Sequence, residues 1–185
     1  MLKTIVKSIL AGMAISLGCC MYLLTSNPFV GALLFACGLL CVRIYKLNLF
    51  TGKTQFMVTT QYKWWYYILV LFFNLLGVIF MAVITINITH DAAAPIAITK
   101  AAQPFTIALT KGVCCGMLMS LATYEKSPLW MCLLCVPGFI LAGFNHCIAD
   151  AYYAAAGLKI GLPFLATVIG NICGGIFLSG LCMDE

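Results

Sequence analysis

The sequence predicts an all-α membrane protein, a six-helix bundle of two inverted three-helix repeats with the second and fifth helices broken. Three observations carry this reading. Hydrophobic residues make up 64% of the chain and charged residues 8%, with a mean hydropathy of +1.09; a soluble domain is about 45–50% apolar and about 25% charged. The apolar residues fall into six stretches, each suited to crossing about 30 Å of hydrocarbon. Two of these stretches, in corresponding places of the two halves, are interrupted by short polar or glycine-containing segments.

The first span is Ser8–Leu24. Lys3 and Lys7 precede it as in a signal peptide, but it runs into Cys19-Cys20-Met21-Tyr22 with no small-residue cleavage site, so a retained helix is expected. The second, Pro28–Val42, continues beyond a break at Leu49-Phe50-Thr51-Gly52. The third is Trp64–Thr85 and the fourth Pro104–Tyr124. The fifth, Leu129–Tyr153, contains a break at Gly143-Phe144-Asn145-His146, and the sixth is Pro163–Met183. Each half thus holds a continuous, a broken and a continuous helix, and an odd number of spans per half forces the second half to insert upside down. The chain reads as a single transmembrane domain, 1–185, with repeats of about 1–90 and 100–185. Nothing remains for a soluble domain. Backbone in hydrocarbon must satisfy its own hydrogen bonds, so a break survives only where protein or water covers it. Matched breaks in two half-repeats point to a pore or carrier with its site near the midplane.

Charge placement gives the orientation. With the N-terminus inside, Lys3, Lys7, Lys53, Lys63 and Lys126 are cytoplasmic, and Arg43 and Lys46 lie toward that side. Only Lys100 and Lys159 fall in external loops, and Asp184-Glu185 returns to the cytoplasm. The net charge of +5 is therefore topological and calls for no nucleic-acid partner. Most of the 11 cysteines lie within spans, where a thiol packs as a small apolar group. Cys132-Leu133-Leu134-Cys135 has redox spacing but an apolar setting without the helix-terminal context that activates a thiol. His90 and His146 are far apart and no Cys/His pair has ligand spacing, so neither a metal nor any other cofactor is called for, and an enzyme is not expected.

Ionisable groups inside spans are costly and are candidates for function. Three stand out: His146 in the second break, Asp150 four residues later, and Lys111 in the fourth span. The spacing of four puts His146 and Asp150 on one helical face if the helix resumes at the break. A carboxylate beside imidazole favours its charged form, whereas desolvation favours the neutral one.

Around these residues the sequence resembles the formate–nitrite transporter family. Leu49-Phe50-Thr51-Gly52 looks like that family's Leu-Phe-Thr-Gly loop, and Gly143-Phe144-Asn145-His146-Cys147-Ile148-Ala149-Asp150 like its Gly-Phe-Glu-His-Ser-x-Ala-Asn signature. Gly170-Asn171-Ile172-Cys173-Gly174-Gly175 matches Gly-Asn-Ile-x-Gly-Gly, and Ala11-Gly12-Met13-Ala14-Ile15-Ser16-Leu17-Gly18 resembles the first-helix pattern. Lys100, before Gly112, sits where the family has an external-vestibule lysine. The resemblance spans nearly the full chain. It implies an aquaporin-like bundle assembled as a homopentamer in an inner (plasma) membrane, with a pore in each protomer for small monovalent anions or their acids. It implies that Phe35 and Phe139 form an outer constriction and Leu39, Leu49 and Phe50 an inner one. Thr51 and His146 then make the polar centre, and Asn171 an inner-side polar group.

The departures from the family pattern are specific. Asn48 and Asn145 stand where an acid is common, and Asp150 stands where Asn is common. Gly116 replaces an Asn and Cys147 a Ser. The expected function is a channel for formate, nitrite, hydrosulfide or a similar anion, with Asp150 stabilising or orienting the His146 ring; alternatively Asp150 bonds Lys111 or a neighbouring helix. A neutral-solute channel of the same fold and a non-transporting membrane scaffold are the competing readings.

Overall fold

A computed structural model describes residues 1–58 and 61–182, with side chains through residue 178. The expected end of the sixth span at Met183, the terminal Asp184-Glu185 and the side chain of Cys182 lie outside the described residues. The order is α1 (Leu2–Leu23), α2 (Pro28–Ile44), α3 (Phe50–Lys53), α4 (Trp64–Ala101), α5 (Phe105–Thr123), α6 (Cys132–Leu141), α7 (Cys147–Ala156) and α8 (Pro163–Cys182). Short 3₁₀ turns, Thr54–Phe56 and Leu129–Met131, follow α3 and precede α6. Among the described residues α1, α4 and α5 are long and apolar enough to cross a membrane, and α2, Leu129–Leu141 and Pro163–Leu178 are shorter apolar helices.

Helix α2 starts where the sequence supplies both a cap and a preset φ. Asn27 accepts hydrogen bonds from the backbone N–H groups of Phe29 and Val30, and Pro28 occupies the first turn. Both helices that lead into a break end alike. Lys46 and Gly143 take positive φ, 50° and 68°. The next residue turns back: Leu47 N–H donates to Val42 O and Phe144 N–H to Phe139 O, both at 2.9 Å. This is the Schellman arrangement, completed by Lys46 N–H to Arg43 O and Gly143 N–H to Ile140 O. Glycine holds that conformation without strain, whereas Lys46 does so against its Cβ.

The structure moves the first break slightly upstream of its expected position. The first non-helical stretch ends at Leu49, and Phe50-Thr51-Gly52 already belongs to α3. The second falls where the sequence places it, between the end of α6 at Leu141 and the start of α7 at Cys147, which His146 caps. The third span is also longer than expected. Helix α4 runs 38 residues to Ala101 and contains Pro95, well beyond the expected end at Thr85. At about 1.5 Å per residue it exceeds the hydrocarbon thickness. The polar group Asn87-Ile88-Thr89-His90-Asp91 ends the apolar run but not the helix, and His90 Nδ1–H donates to Ala156 O at 2.8 Å, capping α7. Lys100, expected in an external loop, accordingly lies in the last turn of α4.

Helices α1 with α4, and α5 with α8, are the most extensively packed pairs. Contact is close enough that a Cβ at Gly77 would overlap Ile9 O, and one at Gly174 would overlap Val113 O. Small residues that let backbones approach are the usual means of joining helices in lipid. The same proximity accounts for Gly116, where a Cβ would stand 2.5 Å from Asn171 O. Several thiols pack or bond within this core. Cys20 Sγ lies 2.8 Å from Tyr152 Oη, which also meets Thr85 Oγ1 at 2.7 Å. Cys132 begins α6, but the preceding 3₁₀ turn runs into it, and its thiol faces Ala122 O at 3.8 Å.

Candidate functional site

Each break leaves backbone donors and acceptors that helix geometry cannot satisfy, and a buried asparagine takes them up. Asn74 Oδ1 accepts from Phe50 N–H at 2.8 Å. Its Nδ2 donates to Ser8 O at 2.7 Å and Asn48 O at 2.9 Å. Asn171 does the same in the other half. Its Oδ1 accepts from Cys147 N–H at 2.9 Å, and its Nδ2 donates to Gly112 O and Asn145 O, both at 2.8 Å. Both asparagines are fully buried. Asn74 is absent from the sequence candidates although the signal is present: Asn74-Leu75-Leu76-Gly77 repeats the spacing of Asn171-Ile172-Cys173-Gly174. All polar atoms of the Asn171 amide are engaged with backbone, which makes it a positioning group.

The clamps bring the two breaks together. His146 Nε2 lies 2.9 Å from Thr51 Oγ1, and both residues are buried. His146 Nδ1 accepts the N–H of Ala149 at 3.2 Å and so caps α7. A ring nitrogen that accepts a backbone N–H carries no proton, so the neutral ring has its hydrogen on Nε2 and donates it to Thr51. Thr51 keeps its hydroxyl hydrogen to donate elsewhere. Phe139 stacks on the imidazole, 5.5 Å between centroids and 17° between planes. The Phe35 ring meets Phe139 edge-on, 5.8 Å away at 89°. Leu39, Leu49 and Phe50 are buried as well.

Two cavities approach this centre. One, of about 330 Å³, is lined by Lys100, Gln103, Lys111, Phe139, His146 and Asp150, among others. The other, of about 510 Å³, is lined by Arg43, Lys46, Leu49, Lys53, Tyr62 and Glu125, among others. They share no lining residue, and Phe35, Leu39, Phe50 and Thr51 line neither. Arg43 spans the second wall, donating to Ala122 O and to Ser127 O, the latter at 2.7 Å.

Asp150 shares the first turn of α7 with His146, but its carboxylate does not bond the ring. Asp150 Oδ1 lies 2.8 Å from Lys100 Nζ. The same ammonium donates to Asn145 Oδ1 at 2.8 Å, and Asn145 Nδ2 donates to Gln103 Oε1 at 2.8 Å and Thr167 Oγ1 at 3.2 Å. Lys100 therefore ties α4 to both sides of His146. The expected orienting bond from Asp150 to the imidazole is replaced by this ion pair. The side chain of Asn48, the corresponding residue of the first break, makes a long contact, Nδ2 to Thr4 O at 3.4 Å, while its carbonyl is held by Asn74.

Long apolar helices, clamped helix breaks and a buried polar pair between two cavities define a helical membrane protein built like a solute channel or transporter. Residues 1–183 match the family described as formate/nitrite transporter, and the chain belongs to that family. It is 26% identical to the nitrite transporter NirC of Salmonella typhimurium, over 95% of this chain and 80% of that protein. Among solved structures, one described as an FNT family ion channel aligns with a TM-score of 0.84 at 22% identity, covering 97% of this chain and 88% of the other. A pentameric formate channel with formate bound aligns with a TM-score of 0.80, also at 22% identity, over 97% and 94%. These structural likenesses establish the shared fold. All three relatives are described as transporters or channels.

Proposed function

We propose that the chain forms a channel for a small monovalent anion or its conjugate weak acid, formate or nitrite being the first candidates from its relatives. The observation that carries this is the His146–Thr51 pair, buried between two basic cavities and walled by Phe35 and Phe139. A bare charge crossing that wall loses hydration worth several kcal/mol or more, whereas the neutral acid crosses at far lower cost. The barrier is thus selective for species that can gain a proton beside it.

The bonds of His146 bear on where the proton comes from. Giving up the Nε2 hydrogen would leave an anionic ring, because Nδ1 is held by Ala149 N–H and is not free to be protonated first. In this reading the pair acts as a fixed hydrogen-bond donor, and water in the cavity supplies the proton. Lys100, Asn145, Asp150 and Asn171 hold His146 and line or support the path. Leu39, Leu49 and Phe50 form the apolar wall on the other side of Thr51.

The proposed architecture is six spans in two inverted repeats, with α2–α3 and α6–α7 each forming one broken span. It is supported by paired features: the Lys46 and Gly143 caps, the Asn74 and Asn171 clamps, and the glycine contacts. Corresponding residues line the two cavities, as with Val42 and Phe139, Lys46 and Gly143, Leu47 and Phe144, and Leu49 and His146. We propose a homopentamer in an inner membrane with both termini cytoplasmic, and the exposed apolar face of α4 at Ile79, Phe80, Val83, Ile84 and Ile88 offers the assembly or lipid-facing surface. The test is uptake by reconstituted liposomes of formate, nitrite, acetate, lactate and hydrosulfide as external pH is lowered. Acid-stimulated uptake of at least one is expected; pH-independent passage of neutral solutes alone would overturn the reading.

A further inference from the structure

We propose that Lys111, assisted by the Gln103 carboxamide, is the anion-recruiting site of the first cavity, rather than Lys100. The inference rests on the channel reading above. Both lysines line the same cavity wall as His146. The Lys100 charge is committed: its ammonium sits 2.8 Å from Asp150 Oδ1 and 2.8 Å from Asn145 Oδ1. That pair sums to zero, and the bonds of His146 hold it neutral. Lys111 then carries the uncompensated charge of this cavity. Among the described residues its ammonium has no hydrogen-bond or ion-pair partner, and the residue is half-buried.

The position of Lys111 is fixed by its backbone. Its carbonyl accepts Asn145 N–H at 3.3 Å, and the next carbonyl, of Gly112, accepts from Asn171. Its ammonium reaches over the turn of the second break, where a Cβ on Gly143 would be 3.9 Å from Nζ. Glycine at that turn leaves the ammonium uncovered toward the cavity. Gln103 Oε1 accepts from Asn145, which directs its amide hydrogens, unpartnered among the described residues, to the same space. A cation and a neutral donor on one wall suit a small monovalent carboxylate or oxyanion.

The experiment measures formate uptake by liposomes containing the full chain, at formate far below saturation, in about 0.01 M and about 1 M salt, where the screening length falls from about 30 Å to about 3 Å. Lys111→Gln is expected to lower uptake about fivefold at low salt, Lys111→Glu further, and Lys111→Arg little. The deficits should vanish at high salt, which also shows that the variants fold and conduct. Gln103→Ala should weaken uptake equally at both salt levels. If Lys111→Gln and Lys111→Glu retain wild-type uptake and salt dependence, the inference is overturned and the channel reading stands. If Lys111→Gln does not assemble, Lys111→Met supplies the neutral comparison. A wild-type protein that passes no anion would overturn both.

Discussion

Lys100 and Asp150 form a 2.8 Å ion pair that joins the last turn of α4 to the first turn of α7. Asn145 completes it from the other side of His146. By the resemblance an acid is common at the position of Asn145 and an Asn at that of Asp150, so this chain carries the acid and the amide in the opposite order around one lysine. The local charge balance survives the exchange. This explains how the chain can lose the acid next to its histidine without leaving a partly buried ammonium unpaired.

Asp150→Asn should therefore destabilise the protein, and adding Asn145→Glu should restore it. Removing one member of a buried pair costs about 3–5 kcal/mol; Lys100 is 20% exposed, which reduces the expected loss to about 2 kcal/mol. Thermal unfolding in detergent of the two single variants and the double variant measures the coupling. Additive effects would show that the residues at 145 and 150 do not answer to the same lysine.

Asn74→Leu and Asn171→Leu should each be severely destabilising, and to similar degrees. Each removes three bonds to buried backbone, and an unsatisfied buried polar group costs about 1–3 kcal/mol. Replacement by Asp keeps the acceptor for Phe50 or Cys147 N–H but abolishes both donors, so it should rescue little. Yield of assembled protein and melting temperature decide this. A stable Asn74→Leu variant would show that the first break is held by something else.

Much of this arrangement was legible in the sequence, and what was missed has physical reasons. The breaks announced themselves because Thr51, Asn145 and His146 are polar at membrane depth. The turn at Lys46 did not, since a lysine at positive φ is no turn signal, whereas Gly143 is. Asn74 is not among the sequence candidates, and its role follows from its three backbone partners, with its Asn-x-x-Gly spacing the one signal the sequence carried. The length of α4 was hidden because hydropathy marks where lipid ends, not where a helix does. The Lys100–Asp150 contact is tertiary, and local spacing pointed Asp150 at His146 instead.

Thr51→Val should impair conduction while Thr51→Ser preserves it. Valine has similar volume but offers no oxygen to the Nε2–H of His146, leaving that donor buried and unpaired. It also deletes the hydroxyl hydrogen that Thr51 would offer to a passing solute. A loss of about tenfold in formate uptake is expected for a lost hydrogen bond worth about 1.4 kcal/mol. Equal uptake by the two variants would remove Thr51 from the conduction path.

Phe139→Ala should increase chloride leakage, because it removes both the edge contact with Phe35 and the stack on His146. Phe35→Ala should do so less, since it leaves the stack in place. The rings touch, so the double variant should leak less than the two effects combined would give. Planar-bilayer chloride currents no larger than the parent's would place the barrier elsewhere.

His146→Asn separates the two jobs of the histidine. Asparagine is a good N-cap and can accept the Ala149 N–H as Nδ1 does, so α7 should still start correctly and assembly should persist. It has no group that titrates near neutral pH. If the proton is supplied by water in the cavity, the variant should conduct more slowly, yet its uptake should still rise as pH falls, following the fraction of protonated solute. If the imidazole itself delivers the proton, the pH dependence should disappear with it. Formate uptake across a pH series, for the wild type and His146→Asn under one assay, distinguishes these outcomes. A flat profile for the variant would mean that in the wild type His146 Nδ1 releases Ala149 N–H during each passage, making the start of α7 a moving part.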